Sequence, residues 1–398
     1  MGEEEQLIVR VVPSIGDVDV DKWDACASPE GRPYNPFTSY AFLHALERSE
    51  CATPYEGWAP QHLCLESGDG TLLGCMPNYL KSNSYGAYIF DHGWAEAFES
   101  AGGHYYPKLQ SAVPFTPAQG RRLLIAPGPQ EEHFEKLLAS AAIELVDRLQ
   151  ASSLHVTFLT HGEWERLGEL GLLQRTAQQF HWRNDGYQNF DEFLASLASR
   201  KRKMIRRERR DATTSDIEIE HLTGSMLREM HWDHFFEFYE DTGSRKWGSP
   251  YLNREFFSCI SESMADDILL ILCKRDGHYI AGALNFIGGD TLYGRYWGCT
   301  EYHNFLHFEV CYYQAMDFAI EKGLKYVEAG AQGPHKLARG YMPTTMYSVH
   351  YIANESFRHA VADFLNRERR HVEFEQTALS AHSPFAKTSN RLSTPEKP

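Results

Sequence analysis

Apolar and polar positions change period several times along this chain, and the changes divide it into two halves of similar order. In the first half, LIVRVVPSI (7–15) reads as a strand, and a helix is predicted over Pro36–Arg48, with Asn35 or Thr38 placed to cap it. Residues 61–81, QHLCLESGDGTLLGCMPNYLK, alternate with period two on either side of Gly68–Gly70, the signature of a hairpin. An aromatic, glycine-containing loop is expected from Tyr85 to Pro117. The segments RRLLIAPGP, LHVTFLT and LLQRTAQQFHWRN read as strands, and EEHFEKLLASAAIELVDRLQ (131–150) as an amphipathic helix with acids in its first turn.

The second half repeats the order. DIEIEHL is a strand, and Ser225–Asp241 and Arg254–Ala265 are helical. Residues 267–298 form a three-stranded meander, turned at Asp276-Gly277 and at Gly288–Asp290. A helix over Leu306–Lys322, a strand (LKYVEAG), a Gly/His/Lys loop and a last strand (MYSVHYIA) follow. This predicts an α/β class with α+β mixed sheets, built as two similar domains. Expected bounds are 1–186 for the N-terminal domain, 187–212 for a basic linking helix, 213–378 for the C-terminal domain with the probable site, and 379–398 for a disordered tail.

Composition narrows the function. A length of 398 residues suggests more than one core, and 42% apolar with 23% charged residues is that of a soluble globular protein. A net charge of −15 argues against general nucleic-acid binding. The acidic N-terminus lacks signal-peptide features and no run is long enough for a transmembrane helix, so a cytoplasmic address is expected. The eight cysteines show no CxxC spacing and read as small buried hydrophobes, with no metal site expected.

One stretch departs from the acidic background. Eight of the eleven residues from Arg200 to Arg210 are Lys or Arg, with Glu208 the only acid. Arg202, Lys203 and Arg206 are candidate contacts for phosphate or nucleic acid; the alternative is a solvated helix face.

Residues 291–341 concentrate the chemistry. Alternation along 291–298 puts Tyr293, Arg295 and Trp297 on one strand face, an arrangement suited to anion binding with stacking. At 100° per residue, Phe308, Tyr312, Ala315 and Met316 form the apolar side of the next helix, and His307 falls on its wet side. Glu309 instead lies on the buried flank, in the first turn. Desolvation there raises a carboxylate's pKa, which makes Glu309 a candidate general base; the alternative is a cap for free N–H groups. The strand ending at Glu328 runs into a loop whose Gly330, Gln332 and Gly333 let backbone N–H groups approach an anion or oxyanion. His335 is a candidate for proton transfer, and Lys336 and Arg339 bring positive charge. No pyrophosphate-wrapping Q/R-x-x-G-x-G/A run precedes the helix, and no GxSxG, HExxH or Walker loop occurs.

Seven ordered blocks carry a wider resemblance: HYYPKLQSAVPFTP, QFHWRN, FDEFLASLASRKRKMIRRER, FYEDTGSRKWGSPYL, LYGRYWG, LHFEVCYY and GAQGPHKLARGYMP. In these the chain, from about residue 8 to 375, resembles the FemAB-like predicted N-acyltransferases, relatives of the peptidoglycan-bridge peptidyltransferases in the GNAT superfamily. The resemblance implies tandem GNAT-like acyltransferase domains. It implies transfer of an acyl or aminoacyl group from an activated ester or thioester to an amine. Catalysis would rest on Glu309, His335 and Lys336. Substrate would contact Trp247, Tyr293, Arg295, Trp297, His307, Glu328, Gly330, Gln332, Gly333 and Arg339. The donor would be an acyl-CoA, another carrier-linked acyl group or an aminoacyl-tRNA, with no metal; the alternatives are an aminoacyl-tRNA-dependent peptidyltransferase on a cell-wall precursor and a non-catalytic tandem GNAT-like binding protein.

Overall fold

A computed structural model describes residues 6–213, 216–246, 250–330 and 333–386. The chain forms two compact units. Unit 1 comprises residues 1–177 and 345–373, and unit 2 comprises 178–344 and 374–398.

Unit 1 opens with β1 (Leu7–Val12), α1 (Val20–Ala27) and α2 (Tyr40–Arg48). The predicted helix over 36–48 is interrupted: Asn35 caps a 3-10 turn over Pro36–Thr38, and Ser39 then caps α2 through Phe42 N–H. Next come β2 (Trp58–Pro60), β3 (His62–Ser67), β4 (Leu72–Met76) and β5 (Tyr79–Lys81). The expected loop 85–117 contains a helix, α3 (His92–Ser100), and a strand, β6 (Lys108–Ser111). Then follow β7 (Leu124–Ile125), α4 (Glu131–Arg148), β8 (Ser153–Leu159), α5 (His161–Glu169) and β9 (Leu173–Arg183), which enters unit 2 at Gln178.

Unit 2 continues with α6 (Phe190–Ser196), α7 (Ser199–Ala212), β10 (Ile217–Leu222), α8 (Glu229–Lys246), α9 (Arg254–Met264), β11 (Ile268–Arg275), β12 (His278–Ile287) and β13 (Thr291–Cys299). The basic stretch is thus two helices inside unit 2 rather than one link between halves. The predicted helix 306–322 is built as α10 (Leu306–Phe308), a π-turn over Glu309–Tyr313 and α11 (Gln314–Glu321). After β14 (Tyr326–Glu328), β15 (Met342–Ile352) leads back into unit 1, where α12 (Glu355–Ser380) begins. No element was expected over most of α12. Residues beyond it, read as disordered tail, include an ordered piece in which Phe385 bridges Leu197 and Ala198 N–H donates to Pro384 O.

Each unit has a mainly antiparallel sheet containing a parallel pair on either side of a helical crossover. In unit 1 the order is β15-β8-β6-β5-β2 with β6 and β8 parallel, beside a second sheet β1-β3-β4-β7. In unit 2 it is β10-β11-β12-β13-β14-β9 with β13 and β14 parallel. The apolar core of unit 1 joins Leu63, Leu65, Leu109, Leu154 and Val156 to α4 through Leu138, Ala142 and Val146. In unit 2, Ala281 and Ala283 on one sheet face meet Phe193, Ala315, Met316 and Ala319. On the other face the sheet approaches α8 so closely that a Cβ on Gly298 would lie 2.1 Å from Phe238 O.

Among the described residues no helix is long and apolar enough to cross a membrane, and no cluster of three or more His, Cys, Asp or Glu side chains is arranged to hold a metal. All eight cysteines are free thiols, six of them buried.

Candidate functional site

The site begins where β13 and β14 part. The parallel strands pair only over Thr291–Tyr293 and Tyr326–Glu328. Past that point β13 runs on to Cys299, while the chain after Glu328 turns away at Gly330, whose φ of 76° suits a residue without a Cβ.

A bulge re-aims β13 beside this opening. Opposite β12 the register steps from Leu284↔Tyr296 to Asn285↔Gly294, so Arg295 is the extra residue. Strict alternation therefore fails. Tyr293 pairs with Phe286 and Trp297 with Ala283, three positions apart, so the two aromatics lie on opposite faces of the sheet instead of sharing one. Trp297 is half-buried against His307, with ring centroids 5.4 Å apart. The Arg295 guanidinium lies 5.9 Å from the Tyr296 ring centroid.

The loop after β14 closes over the parting strands. Lys336 is 1% exposed, and its ammonium donates to Ala329 O at 2.5 Å and Gly330 O at 2.8 Å. Burial pushes its pKa down to about 8, with the positive charge of Arg295 adding to the effect. Gly333 has a φ of 127°, and a Cβ there would meet the His335 ring at 2.6 Å. His335 is exposed on one side and shares a 2.9 Å hydrogen bond between Nε2 and Tyr312 Oη. Partial burial and the neighbouring Arg339 and Lys336 hold its pKa below the usual histidine value. Phe308 stacks on Tyr312 and also contacts His335. His307 packs on Tyr312 and Trp297, so the side expected to be wet is aromatic.

Arg339 is buried, and each of its three guanidinium nitrogens donates a hydrogen bond. Nε and Nη2 donate to the two oxygens of Glu208 at 3.0 and 2.7 Å, Nη1 donates to His335 O at 2.8 Å, and the guanidinium lies 3.6 Å over the Phe308 ring. Tyr313 Oη donates to the same Glu208 carboxylate. Arg339 thus ties the loop to Glu208.

Glu309 is 1% exposed and raised in pKa by desolvation, against the opposing pull of Arg209. Its Oε1 accepts from Arg209 Nη2 at 2.9 Å and Gln314 Nε2 at 2.7 Å, and Arg209 also reaches Asp317 at 2.6 Å. Its Oε2 accepts no hydrogen bond among the described residues, and no ion pair or hydrogen bond joins Glu309 to His335, Lys336 or Arg339. Glu328 is buried at the end of β14, with Oε1 3.8 Å from His181 Nδ1. Burial and the nearby Lys336 push His181 down to about 3, so its ring is neutral.

The structure therefore brings Trp297, His307, Gly330, Gly333, His335 and Lys336 to the opening, and puts Glu309 in a separate ionic cluster. Trp247 and Gln332 lie outside the described residues. On α7, Lys203 and Arg206 are exposed and Arg202 is partly so; Arg206 pairs with Asp191 at 3.2 Å. Sequence reasoning missed Tyr312, Tyr313, Glu208 and Arg209 as site-building residues. Glu208 did carry a signal, since it is the one acid in the basic run.

The FemAB-like family profile, described as peptidoglycan biosynthesis or recognition, matches residues 14–387. No curated protein sequence matches significantly. The crystal structure of FemX superposes with a TM-score of 0.55 at 14% identity, covering 87% of this chain and 98% of FemX. The C-terminal domain of a putative lysylphosphatidylglycerol synthetase from Agrobacterium fabrum gives 0.52 at 9% identity, covering 89% of this chain and 97% of that one. A tandem GNAT protein from the clavulanic acid biosynthesis pathway matches at 0.46 and 12% identity, over 88% and 99% of the two chains. The likenesses to FemX and to the Agrobacterium domain establish a shared mixed α/β fold. With its profile matched over nearly the whole length, the chain belongs to the FemAB-like family.

Proposed function

We propose that the protein is an N-acyltransferase that moves an acyl or aminoacyl group from an activated ester or thioester to an amine, at the opening between β13 and β14. The observation that carries this reading is Lys336, a buried ammonium held on the carbonyls of Ala329 and Gly330 where the two strands part. A cation there stabilises the oxyanion that forms when the amine adds to the acyl carbon. The new N–C bond forms first, and collapse of the tetrahedral intermediate then breaks the bond to sulfur or oxygen. His335, neutral and partly open to solvent, is placed to accept the ammonium proton and return it to the leaving group. Trp297 and His307 line the approach. Backbone N–H groups at the glycines of this loop supply the remaining oxyanion donors.

A second reading makes the donor an aminoacyl-tRNA. It is favoured by the start of α7, where Arg200, Lys201, Arg202 and Lys203 have no ion-pair partner among the described residues. Thermal-shift screening with acyl-CoA, acylated carrier protein and aminoacyl-tRNA separates the two. A true donor at a hundred times its Kd stabilises by about 2.7 kcal/mol, and that gain should vanish in Lys336→Met if the donor sits at the opening. Absence of stabilisation and of turnover with all three would refute the acyltransferase reading.

A further inference from the structure

Unit 1 carries a second array of chemistry that acyl transfer in unit 2 leaves unused. By strand alternation and register, Trp58, Tyr79, Lys81, Lys108 and Gln110 lie on one face of β2, β5 and β6. All five are 0% exposed. The opposite face, with Leu80, Leu109 and Leu154, belongs to the apolar core. One side of this sheet is thus an ordinary hydrophobic interface, and the other is a buried polar surface.

Among the described residues, one of its two lysines has a carboxylate partner and the other has none. Lys108 pairs with Asp91, which also accepts from Tyr105 Oη at 2.7 Å, and both members of the ion pair are fully buried. Lys81 has no carboxylate partner among the described residues. Its ammonium makes only long contacts, to Asn83 Oδ1 at 3.5 Å and Tyr85 O at 3.3 Å, and sits 3.6 Å over the Trp58 ring. Burial and the like charge of Lys108 push its pKa down to about 6, as expected for a cation lacking a counter-ion.

Its hydrogen bonds do not balance. Among the described residues, the donors Trp58 Nε1 and Tyr79 Oη are buried without a partner, and so are the acceptors Gln110 Oε1 and Asp91 Oδ1. Buried polar atoms are nearly always satisfied, and each orphan costs about 1–3 kcal/mol. The surface thus lacks the negative charge that would keep Lys81 protonated at neutral pH, acceptors for Trp58 and Tyr79, and donors for Gln110 and Asp91.

We propose that unit 1 holds a second ligand site on this face, for a small carboxylate that also carries an O–H or N–H donor, such as a hydroxy or amino acid. The carboxylate supplies the charge missing beside Lys81 and accepts from Trp58 and Tyr79. The donor group satisfies Gln110 or Asp91. Phosphate fits less well, because its doubly charged form, though it too carries an O–H donor, brings one charge more than Lys81 alone can match. Entry is through residues 82–90, which cover Lys81. In that loop Tyr88 and Phe90 hold positive φ angles of 51° and 54°, and Tyr85 and Phe90 are exposed while Ser84, Ala87 and Ile89 are buried. A covering segment held in disfavoured backbone conformations is a part of the unit where opening costs least.

The test is titration of the full chain with lactate, propionate, methyl lactate and inorganic phosphate at matched ionic strength, read by tryptophan fluorescence and thermal stability. Lactate should bind, propionate should bind more weakly for want of the hydroxyl, phosphate should bind more weakly than lactate, and methyl lactate should not bind measurably. Lys81→Met should weaken lactate binding at least about tenfold, whereas Lys322→Met, at an exposed lysine of unit 2, should leave it unchanged. If Lys81→Met fails to fold, Tyr79→Phe gives a second reading, with a smaller loss of affinity expected. Equal response to all four probes, no response to lactate, or undiminished lactate binding in Tyr79→Phe and any folded Lys81→Met would overturn the proposal. None of these readouts depends on acyl transfer.

Discussion

Glu208 and Arg339 meet fork to fork, Nε to Oε2 at 3.0 Å and Nη2 to Oε1 at 2.7 Å, with both side chains more than nine-tenths buried. The pair ties α7 to the loop bearing His335 and Lys336, and Arg339 also holds His335 O. Removing one member of a buried pair strands the other, at a cost of about 3–5 kcal/mol. Glu208→Gln and Arg339→Lys should each show a loss of this order in urea denaturation. Asp191→Asn, which breaks the exposed Arg206 pair, should change stability by no more than about 1 kcal/mol. Similar losses for buried and exposed pairs would show that the loop is not anchored through Glu208.

Lys336 should set the alkaline limb of transfer. Its folded pKa, about 8, lies below the ordinary lysine value of 10.5, so the ammonium is present below about 8 and is lost as pH rises through it. If the cation stabilises the oxyanion, the single-turnover rate falls along that limb, and Lys336→Met reduces it by about 10²–10³ at neutral pH. Lys336→Arg should retain some activity with the limb moved out of range, because a guanidinium does not titrate there. For stability the sign is reversed: between about 8 and 10.5 the unfolded chain holds more protons, so this residue's contribution improves as pH rises.

At Gly298 the backbone of β13 comes close to that of α8. A Cβ there would fall 2.1 Å from Phe238 O and 2.3 Å from Phe238 C, neither at the end of a flexible side chain. Gly298→Ala must push α8 away from β13 and should cost at least about 1–3 kcal/mol. Gly277→Ala, at a turn where no atom lies within 4 Å, has its φ of 78° as the sole source of strain and should cost about 1–2 kcal/mol. Thermal denaturation of the two variants gives the comparison; a smaller loss in Gly298→Ala would mean that α8 yields easily.

Period and turn chemistry made much of this legible in the sequence. The meander and the burial of Glu309 could be read from alternation or helical phase, because those signals are local; the return of residues 345–373, expected in the C-terminal domain, to unit 1 could not. The places where the reading failed depend on one inserted residue. The bulge at Arg295 separates Tyr293 from Trp297, and no residue type announces it. The π-turn over Glu309–Tyr313 likewise shifts helical phase just where the site is built. Arg339 reads as a ligand contact because its partner, Glu208, is 131 residues away, in a run whose sequence fits either a phosphate contact or a solvated helix face. Composition alone does not reveal which charges find each other.

The start of α7 makes a salt-dependence prediction. Arg202 and Lys203 have no ion-pair partner among the described residues, whereas Arg206 is engaged with Asp191. If aminoacyl-tRNA is the donor, Arg202→Glu with Lys203→Glu should weaken binding and flatten the slope of log Kd against log salt by about two phosphate contacts. Arg206→Glu should do less, and chain stability should change by no more than about 1 kcal/mol in any of them. Filter binding at several salt concentrations measures this. An unchanged slope removes α7 from any nucleic-acid contact.

Glu309 and His335 make opposite predictions about proton transfer. Glu309 lies among Arg209, Gln314 and Asp317, whereas His335 is partly open to solvent beside Tyr312. If His335 accepts the ammonium proton, His335→Gln lowers the single-turnover rate by about 10²–10⁴ and Glu309→Gln leaves it within about tenfold. Stability gives an independent reading of Glu309. Desolvation raises its folded pKa above the ordinary 4.5, so just above that value the native chain keeps a proton the unfolded chain has released. Its contribution therefore falls as pH rises through that window, and the stability difference between Glu309→Gln and wild type should drift in favour of the variant. A large rate loss in Glu309→Gln with an unchanged rate in His335→Gln would reverse the assignment and make the buried carboxylate the base.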